Sequence, residues 1–188
     1  MKLLYTLLFV GTLFINSNNL AASSTTETAP AVETKKDTTK NYTNEDKGYS
    51  IEYPSDWEKK EIPAVDFVLL APQKSEKHPI RATMNIISEK VEAPIDLAQL
   101  YQESIDNLKK ALTDFNVKDS GDMTLDGMPA KWILYTHEIQ KINIEVLQVF
   151  FSNKMGIYLI TYTSPADDFA EYRPAFDKMN ASFHRLTK

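Results

Sequence analysis

The first 22 residues combine a short basic start with an apolar run that ends near small residues. Lys2 precedes the run over residues 3–15, and Ala21 and Ala22 follow a polar stretch. The run is too short to cross a membrane, which takes about 20 residues. This pattern is typical of a cleavable export signal over residues 1–22, with cleavage after Ala21 or Ala22. An uncleaved membrane anchor is the alternative interpretation.

Residues 23–44 are polar and of low complexity, and they predict a flexible linker. Serine, threonine, proline and charged residues dominate this stretch, and its only large apolar residues are Val32 and Tyr42. So few apolar side chains cannot offset the entropy that is lost when a chain becomes ordered. Residues 45–188 then show the mixed pattern of a folded domain without internal repeats, so we expect one domain there.

The first part of this domain alternates apolar and polar residues with the period of β-strands. Tyr49, Ile51 and Tyr53 alternate with polar neighbours, which predicts a half-buried strand. A short apolar run over residues 65–71 and a second alternation over residues 80–86 predict two more strands.

The pattern changes to a helical period after residue 95. Apolar residues recur at spacings of three and four from Leu97 to Leu112, which predicts an amphipathic helix. Asp96 is placed to cap the N-terminus of this helix, and Gln99 is placed to complete a capping box. We interpret the apolar stripe as core packing.

After the helix the pattern returns to strands that are joined by tight turns. Asp126 and Gly127 predict a type I′ hairpin turn, because both central residues of that turn need positive φ. Gln140 and Lys141 predict a second turn. These strands, joined by tight turns, predict an antiparallel sheet. Apolar side chains fall on both of its faces, which implies that helices cover the sheet on both sides. The predicted strands are residues 115–120, 123–125, 129–137, 142–152 and 157–163.

A second helix is predicted at the end of the chain. Ser164 is a candidate N-cap and Pro165 fits the first helical position. Pro174 predicts a break or kink that divides the segment into a short helix and a longer one. The apolar stripe of this segment comprises Phe169, Tyr172, Phe176, Met179 and Phe183.

Composition narrows the classes of protein that remain. The chain has no cysteine, which excludes a disulfide framework, a cysteine-ligated zinc, a thiol nucleophile and a lipid-modified cysteine. Its formal net charge of −5 opposes nucleic-acid binding. Together with the export signal, this predicts a periplasmic or secreted protein that is not a lipoprotein and has no membrane span after cleavage.

Four local phrases resemble those of the PsbP-like proteins, in the same order. The phrase GYSIEYPSDW, residues 48–57, resembles the family opening G-[YF]-x-[IF]-x-Y-P-x-x-W, and residues 125–132 resemble its hairpin with G-x-P-A. Residues 148–151 with 156–162 resemble its last hairpin, and residues 181–183 resemble its closing x-S-F helix end. The likeness covers about residues 48–185, nearly the whole predicted domain.

The resemblance implies an α+β fold: an α/β/α sandwich with a central antiparallel sheet of about six to seven strands flanked by helices. The superfamily includes extrinsic photosystem II subunits, exported bacterial proteins related to DcrB, and a Ran-binding nuclear import factor. Its members are mostly accessory or interaction proteins rather than enzymes. They share no single ligand or partner, so the resemblance does not supply a specific function.

Three aspartates and two histidines are weak candidates for a metal site. Asp119, Asp122 and Asp126 crowd one turn region, where oxygen ligands could hold a divalent cation. Aspartate is also a common turn residue, and we favour that interpretation. His137 and His184 have no second histidine at zinc-ligand spacing, so a metal would need an acidic residue from elsewhere in the fold.

Five aromatic residues are weak candidates for partner binding. A recognition patch is one interpretation of this group, and core filling is the one that we favour. The group comprises Tyr49, Tyr53, Trp57, Trp132 and Tyr135.

No catalytic or phosphate-binding motif is present in the sequence. We therefore expect an exported, non-enzymatic accessory protein without a cofactor, a monomer that acts through contacts with another envelope protein. A small-ligand or divalent-metal-binding envelope protein is the alternative, and a hydrolase is a weaker one.

Overall fold

The computed structural model describes residues 38–74, 80–91, 95–153 and 156–186. The predicted export signal and most of the predicted linker lie outside these ranges. No helix among the described residues is long and apolar enough to cross a membrane. The elements are β1 (Thr39–Asn44), β2 (Tyr49–Pro54), β3 (Glu58–Lys60), β4 (Phe67–Leu70), β5 (Thr83–Glu89), α1 (Leu97–Ala111), β6 (Thr113–Leu125), β7 (Met128–Ile139), β8 (Ile142–Asn153), β9 (Gly156–Pro165), a 3₁₀ turn (Ala166–Asp168), α2 (Phe169–Ala181) and β10 (His184–Arg185).

The strands form two antiparallel sheets. The large sheet has seven strands in the order β3-β4-β5-β9-β8-β7-β6. It consists of two meanders that are joined where β5 pairs with β9. The small sheet has three strands in the order β1-β2-β10, so the last strand of the chain pairs beside one of the first.

Each face of the large sheet is covered by different elements. Helix α1 packs on β6, β7 and β8 over one face, through Leu100, Ile105 and Leu108. The small sheet and α2 pack over the other face, where they enclose the larger of the two apolar cores. The predicted α+β sandwich with a sheet of about seven strands is therefore confirmed.

Most of the predicted strands and the first helix are confirmed, with shifts at their ends. The two short strands predicted after α1 are one strand, β6, because Gly121 and Asp122 between them pair in regular register with Trp132 and Lys131 of β7. Two positive-φ pairs confirm the predicted turns. Asp126 and Gly127 have φ of 47° and 75°, and Gln140 and Lys141 have φ of 49° and 67°.

Three sequence expectations need correction. Strand β1 pairs with β2, so the folded domain begins at least at Thr39, before the predicted boundary at residue 45. Ser164 and Pro165 do not start the helix, because they end β9 and pair with Glu145 and Ile144 of β8. The predicted division of the last helix is also wrong.

Helix α2 continues through Pro174 from Phe169 to Ala181. Pro174 lies on the exposed side of this helix, while Phe169, Phe176 and Met179 on the other side are buried. Packing on both sides of the proline outweighs the loss of one backbone hydrogen bond.

The N-terminus of α1 follows the prediction only in part. The Asp96 carboxylate accepts hydrogen bonds from the Ala98 and Gln99 amides at 2.8 and 3.4 Å, as an N-cap does. The Gln99 side chain does not return to the cap. It donates to Glu103 one turn later, so the reciprocal half of the capping box is absent.

Candidate functional site

A groove of about 680 Å³ lies between the outward face of the small sheet and helix α2. Its volume falls in the range of about 300–1,000 Å³ that is typical of binding pockets. The sheet supplies one wall from β1, β2 and β10, and α2 supplies the other. The groove is therefore built from the two parts of the fold that lie farthest apart in the described sequence.

The sheet wall carries several short side chains, from Thr39, Asn41 and Ser50, together with longer ones at its margins. In β2, Tyr49, Ile51 and Tyr53 point into the core, while Ser50 and Glu52 lie on the opposite face. This alternation is a direct consequence of the two-residue period of a strand. Short residues beside the backbone leave the wall shallow and accessible.

The helix wall is tied to β2 at the C-terminus of α2. The Ser182 hydroxyl accepts a hydrogen bond from the Glu52 amide at 2.9 Å and donates to the Met179 carbonyl at 2.8 Å. Ala175 and Ala181 line the groove and are too short to fill it. The Ser182 hydroxyl thus links the end of α2 to the backbone of β2.

The lining has an apolar floor and a rim that carries both signs of charge. Pro54, Pro174 and Ala175 contribute apolar surface, and Glu52 and Lys178 are exposed at the edge. An apolar centre with a polar rim is the usual composition of a recognition surface.

An ion-pair cluster at the end of the groove joins β10 to the turn between β6 and β7. The Asp126 carboxylate accepts hydrogen bonds from the Arg185 amide at 3.0 Å and from Arg185 Nε at 2.8 Å. The guanidinium also donates to the Asp126 carbonyl at 3.0 Å, and His184 Nδ1 lies 3.1 Å from Asp126 Oδ1. The structure therefore brings together two of the predicted metal candidates, Asp126 and His184. The Arg185 guanidinium pairs with the same carboxylate.

The environment of Asp126 lowers the pKa of its carboxyl. Partial burial alone would raise this pKa, but hydrogen bonds from the Arg185 backbone, from His184 and from the Arg185 guanidinium together lower it below its usual value. The cluster thus favours the ionised carboxylate and holds β10, which carries His184 into the groove.

We expect Asp126→Asn to lower the free energy of unfolding by about 1–2 kcal/mol at pH 7. Asparagine tolerates the positive φ of the turn, so the substitution removes the charge with little change in the backbone. Because the folded pKa is lowered, the stabilisation is present above the unfolded pKa of about 4 and is lost as the pH falls through the folded value. Urea unfolding from pH 7 to pH 2.5 measures this difference.

Asp122→Asn is the matched control for this experiment. Asp122 pairs with Lys131 at 2.6 Å, but its side chain is 80% exposed. Exposed ion pairs contribute little to stability, so we expect this variant to follow the wild type at every pH. An Asp126→Asn chain that is as stable as the wild type at pH 7 would show that the cluster does not stabilise the fold.

The remaining metal candidates lie apart from this cluster. Asp119 accepts a hydrogen bond from the Ser120 amide on exposed strand β6, and His137 is buried on the face of β7 that α1 covers. In the described ranges, no group of three or more acidic or histidine side chains could hold a metal ion. The five candidates therefore do not form one centre there.

The aromatic candidates pack in the interior. Tyr49, Tyr53 and Trp57 are buried in the core between the two sheets, where Tyr53 also borders the groove, and Tyr135 is fully buried under α1. Trp132 is half-buried, and its ring lies against Gly121 of the neighbouring strand. These positions agree with core filling, the interpretation that the sequence favoured.

The sequence did not indicate the groove. Pro174, Ala175 and Ala181 lie outside the apolar stripe of α2, and β1 falls in a segment that was predicted to be a linker. One feature of the sequence could have pointed to the groove. The polar residues of β2 alternate with its buried residues, which predicts an outward face that no neighbouring segment was predicted to cover. Only the pairing of β1 and β10 with β2 shows that this face forms a wall.

The sequence matches the family model described as PsbP-like protein over residues 3–184. The chain belongs to the PsbP-like protein family. This confirms the family that the four local phrases indicated. No curated protein matches the chain in sequence.

Solved structures share the fold at low sequence identity. Cyanobacterial PsbP (CyanoP) from Synechocystis has a TM-score of 0.61 and 14% identity, with 84% of this chain and 98% of that chain covered. LpqN of Mycobacterium tuberculosis, described as involved in cell envelope biogenesis, has a TM-score of 0.61 and 17% identity, with 80% and 91% covered. The Ran-binding protein Mog1p of Saccharomyces cerevisiae has a TM-score of 0.57 and 11% identity, with 80% and 97% covered. None of these three is described as an enzyme.

Proposed function

We propose that this member of the PsbP-like family is an exported, non-enzymatic accessory protein that binds another protein of the cell envelope. The groove between the small sheet and α2 is the contact surface in this proposal. The protein works in the periplasm or outside the cell, after removal of the segment over residues 1–22. Its partner contributes an apolar segment flanked by charged residues, which complements the apolar floor and mixed rim.

The observation that carries this proposal is the outward face of the small sheet. Helix α1 covers the β6, β7 and β8 part of one face of the large sheet, and the small sheet with α2 covers the other face, whereas Ser50, Glu52 and Pro54 of the small sheet face the groove. A concave surface with an apolar floor is a favourable place for a partner to bury area. The descriptions of LpqN and Mog1p also support an accessory or binding role.

Photo-crosslinking from inside the groove tests the proposal. A photoreactive phenylalanine is placed at Asn41 or Lys178 in the full chain, expressed in the cells that make it. The same residue at Asp106 or Lys110, exposed on α1 over the opposite face of the large sheet, is the matched control. We expect one discrete adduct from the envelope fraction at the groove positions and none at the control positions.

The partner identified in this way is then purified and its affinity for the protein is measured. Ala175→Arg places a long charged side chain in the groove and is expected to weaken binding by at least about tenfold, equivalent to about 1.4 kcal/mol. Asp106→Arg on α1 is expected to leave the affinity unchanged. The proposal is overturned if the adducts form equally from α1, if Ala175→Arg binds normally, or if the protein stays in the cytoplasm.

A further inference from the structure

The described part of the chain begins at the edge of the groove. Thr38, the first described residue, lines the groove together with Thr39. The Thr38 carbonyl accepts a hydrogen bond from the Ser55 amide at 2.8 Å, and the hydroxyls of the same two residues are also hydrogen-bonded. Residues 23–37, which follow the predicted export signal and which we call the N-terminal tail, are therefore tethered beside the groove.

The sequence of the N-terminal tail has the composition that suits this groove. Its apolar residues form a single run, APAV, over residues 29–32. Glu33 follows this run directly, and Lys35 and Lys36 come just after it. An apolar centre between charged residues complements an apolar floor with a rim of both charges.

Two contacts show how the groove is oriented relative to this tether. Ser182, just after α2, is hydrogen-bonded to the Glu52 amide, and Tyr172 near the start of α2 contacts Trp57 at 6.1 Å between ring centroids. Helix α2 and strand β2 therefore run in opposite directions along the groove. Because Thr38 pairs at the end of β2 that leads to Trp57, the tail meets the groove at the start of α2.

The tether is long enough to place the apolar run in the groove. Six backbone steps separate Val32 from Thr38, and they span up to about 20 Å. The groove follows the six residues of β2, which extend over about 17 Å. A tail that lies over the groove has to reverse direction just before Thr38, and Asp37 is a residue type that favours turns.

The spacing of residues on α2 matches that of the tail. Ala175 and Ala181 line the groove six residues apart, which is about 9 Å along a helix. The run over residues 29–32 covers about 10 Å when it is extended. Glu171 lies one turn before Ala175 and its side chain is 68% exposed while it pairs with Lys74, so it attracts the basic pair of the tail at the entry to the groove.

We propose that residues 29–32 of the N-terminal tail occupy the groove and that the envelope partner binds by displacing them. This inference rests on the proposed function, because it assigns a means of regulation to the same groove. Pro30 fixes its own φ and restricts Ala29 to extended backbone, which reduces the entropy that docking costs. The tail is then a competitor that the chain carries itself.

A weak interaction is sufficient for this role because the tail is tethered. A short tether gives an effective concentration of about 1 mM. A segment with a dissociation constant of about 0.3 mM as a free peptide would fill the groove for about three-quarters of the time. It would weaken the binding of the partner by about fourfold, so the tail adjusts the affinity without abolishing it.

Disulfide trapping in the purified protein, without the partner, tests the docking. The chain has no cysteine, so Val32→Cys with Ala175→Cys forms one intramolecular disulfide. Val32→Cys with Asp56→Cys is the control. Asp56 is exposed and follows Ser55, which holds Thr38, so a tail that does not dock meets it at least as often as Ala175.

With diamide as the oxidant, we expect the Ala175 pair to close at least about tenfold faster than the Asp56 pair. Non-reducing gels and mass spectrometry measure the two rates and separate monomers from linked dimers.

A single substitution in the tail gives a second measurement that leaves the folded domain unchanged. Val32→Asp places a charge in the apolar run, and we expect it to change the amide chemical shifts of Ser50, Ala175 and Ala181 in the groove. Thr25→Asp adds the same charge outside the run and is the control. Once the partner is purified, Val32→Asp is expected to strengthen its binding by about fourfold and Thr25→Asp to leave it unchanged.

Three results would each overturn tail docking. They are equal closure rates for the two cysteine pairs, disulfides that form mainly between two chains, and groove shifts that are the same in Val32→Asp and Thr25→Asp. The second result would assign the groove to the tail of another copy. Each proposal can fail alone: photo-crosslinks to an envelope protein with equal closure rates leave only the proposed function, and faster closure at Ala175 without such crosslinks leaves only the docked tail.

Discussion

Replacing Phe176 with alanine is expected to lower the free energy of unfolding by about 3–5 kcal/mol. Phe176 is completely buried in α2, in the larger core between the two sheets. Its removal leaves a cavity among rigid aromatic rings that cannot collapse into the space. The rings that contact it are Trp57, Tyr162, Phe169 and Tyr172.

Urea denaturation followed by tryptophan fluorescence measures this loss, because Trp57 lies edge-on to Phe176 at 6.1 Å between ring centroids. Phe176→Leu keeps most of the volume and is expected to cost less than half as much. Phe176 also positions α2, so a folded Phe176→Ala chain should bind the groove partner more weakly. A loss below about 1 kcal/mol would mean that α2 is not anchored by this ring.

Gly156→Ala is the second substitution with a large expected effect, a loss of about 3 kcal/mol in the free energy of unfolding. A Cβ at this position would lie 2.2 Å from the carbonyl oxygen of Glu89 on β5. The obstacle is backbone at the end of a paired strand, so relief requires a shift of β5 against β9. The substitution therefore strains the junction between the two meanders of the large sheet.

The other glycines of the sheet provide matched controls for the same change. Gly127→Ala meets no atom within 4 Å but has φ of 75°, so we expect a loss of about 1–2 kcal/mol. In Gly121→Ala the new Cβ would lie 3.1 Å from the side chain of Trp132. That side chain can move because it is only half-buried, so the strain is smaller than at Gly156. Thermal and urea unfolding should rank Gly156 first, and a rank in which Gly121→Ala is worst would contradict the argument.

Local patterns were sufficient for the elements that depend on local interactions. The helix from Leu97 was visible in its apolar spacing and in Asp96, because capping and amphipathic packing act within a few residues. The turn at Asp126 and Gly127 was visible because its positive φ values restrict the residues that can occupy it. The alternation from Tyr49 to Tyr53 predicted the buried and exposed faces of β2 correctly.

The wrong expectations share a physical cause, since each depended on contacts between distant parts of the chain. Ser164 and Pro165 have the character of a helix start, but pairing with β8 extends the strand through them. Residues 39–44 have few apolar side chains, but the hydrogen bonds of β2 order them as a strand. Pro174 is tolerated because Phe169 and Phe176 anchor the helix on both sides of it.

The candidate sites depend even more than the fold on contacts between distant parts of the chain. The sequence pointed to Asp126 and His184 separately, and the structure brings them into direct contact at the end of the groove, with Arg185 on the other carboxylate oxygen of Asp126. The groove was not indicated by the sequence, because its walls come from strands about 140 residues apart in the chain. Polar residues such as Asn85 and Thr161 look like ordinary solvent-facing strand positions until the register and the burial are known.

The sequence by itself determined the family, the α+β class, the helix α1 and the hairpin turns, because these follow from short-range periodicity, backbone preferences and local phrases. Tertiary structure alone decided which strand faces are covered, how β1 and β10 complete the small sheet, and which groups meet in the ion-pair cluster at Asp126. These features depend on pairing between remote segments, whose free energy comes from burial and hydrogen bonds formed only in the assembled fold.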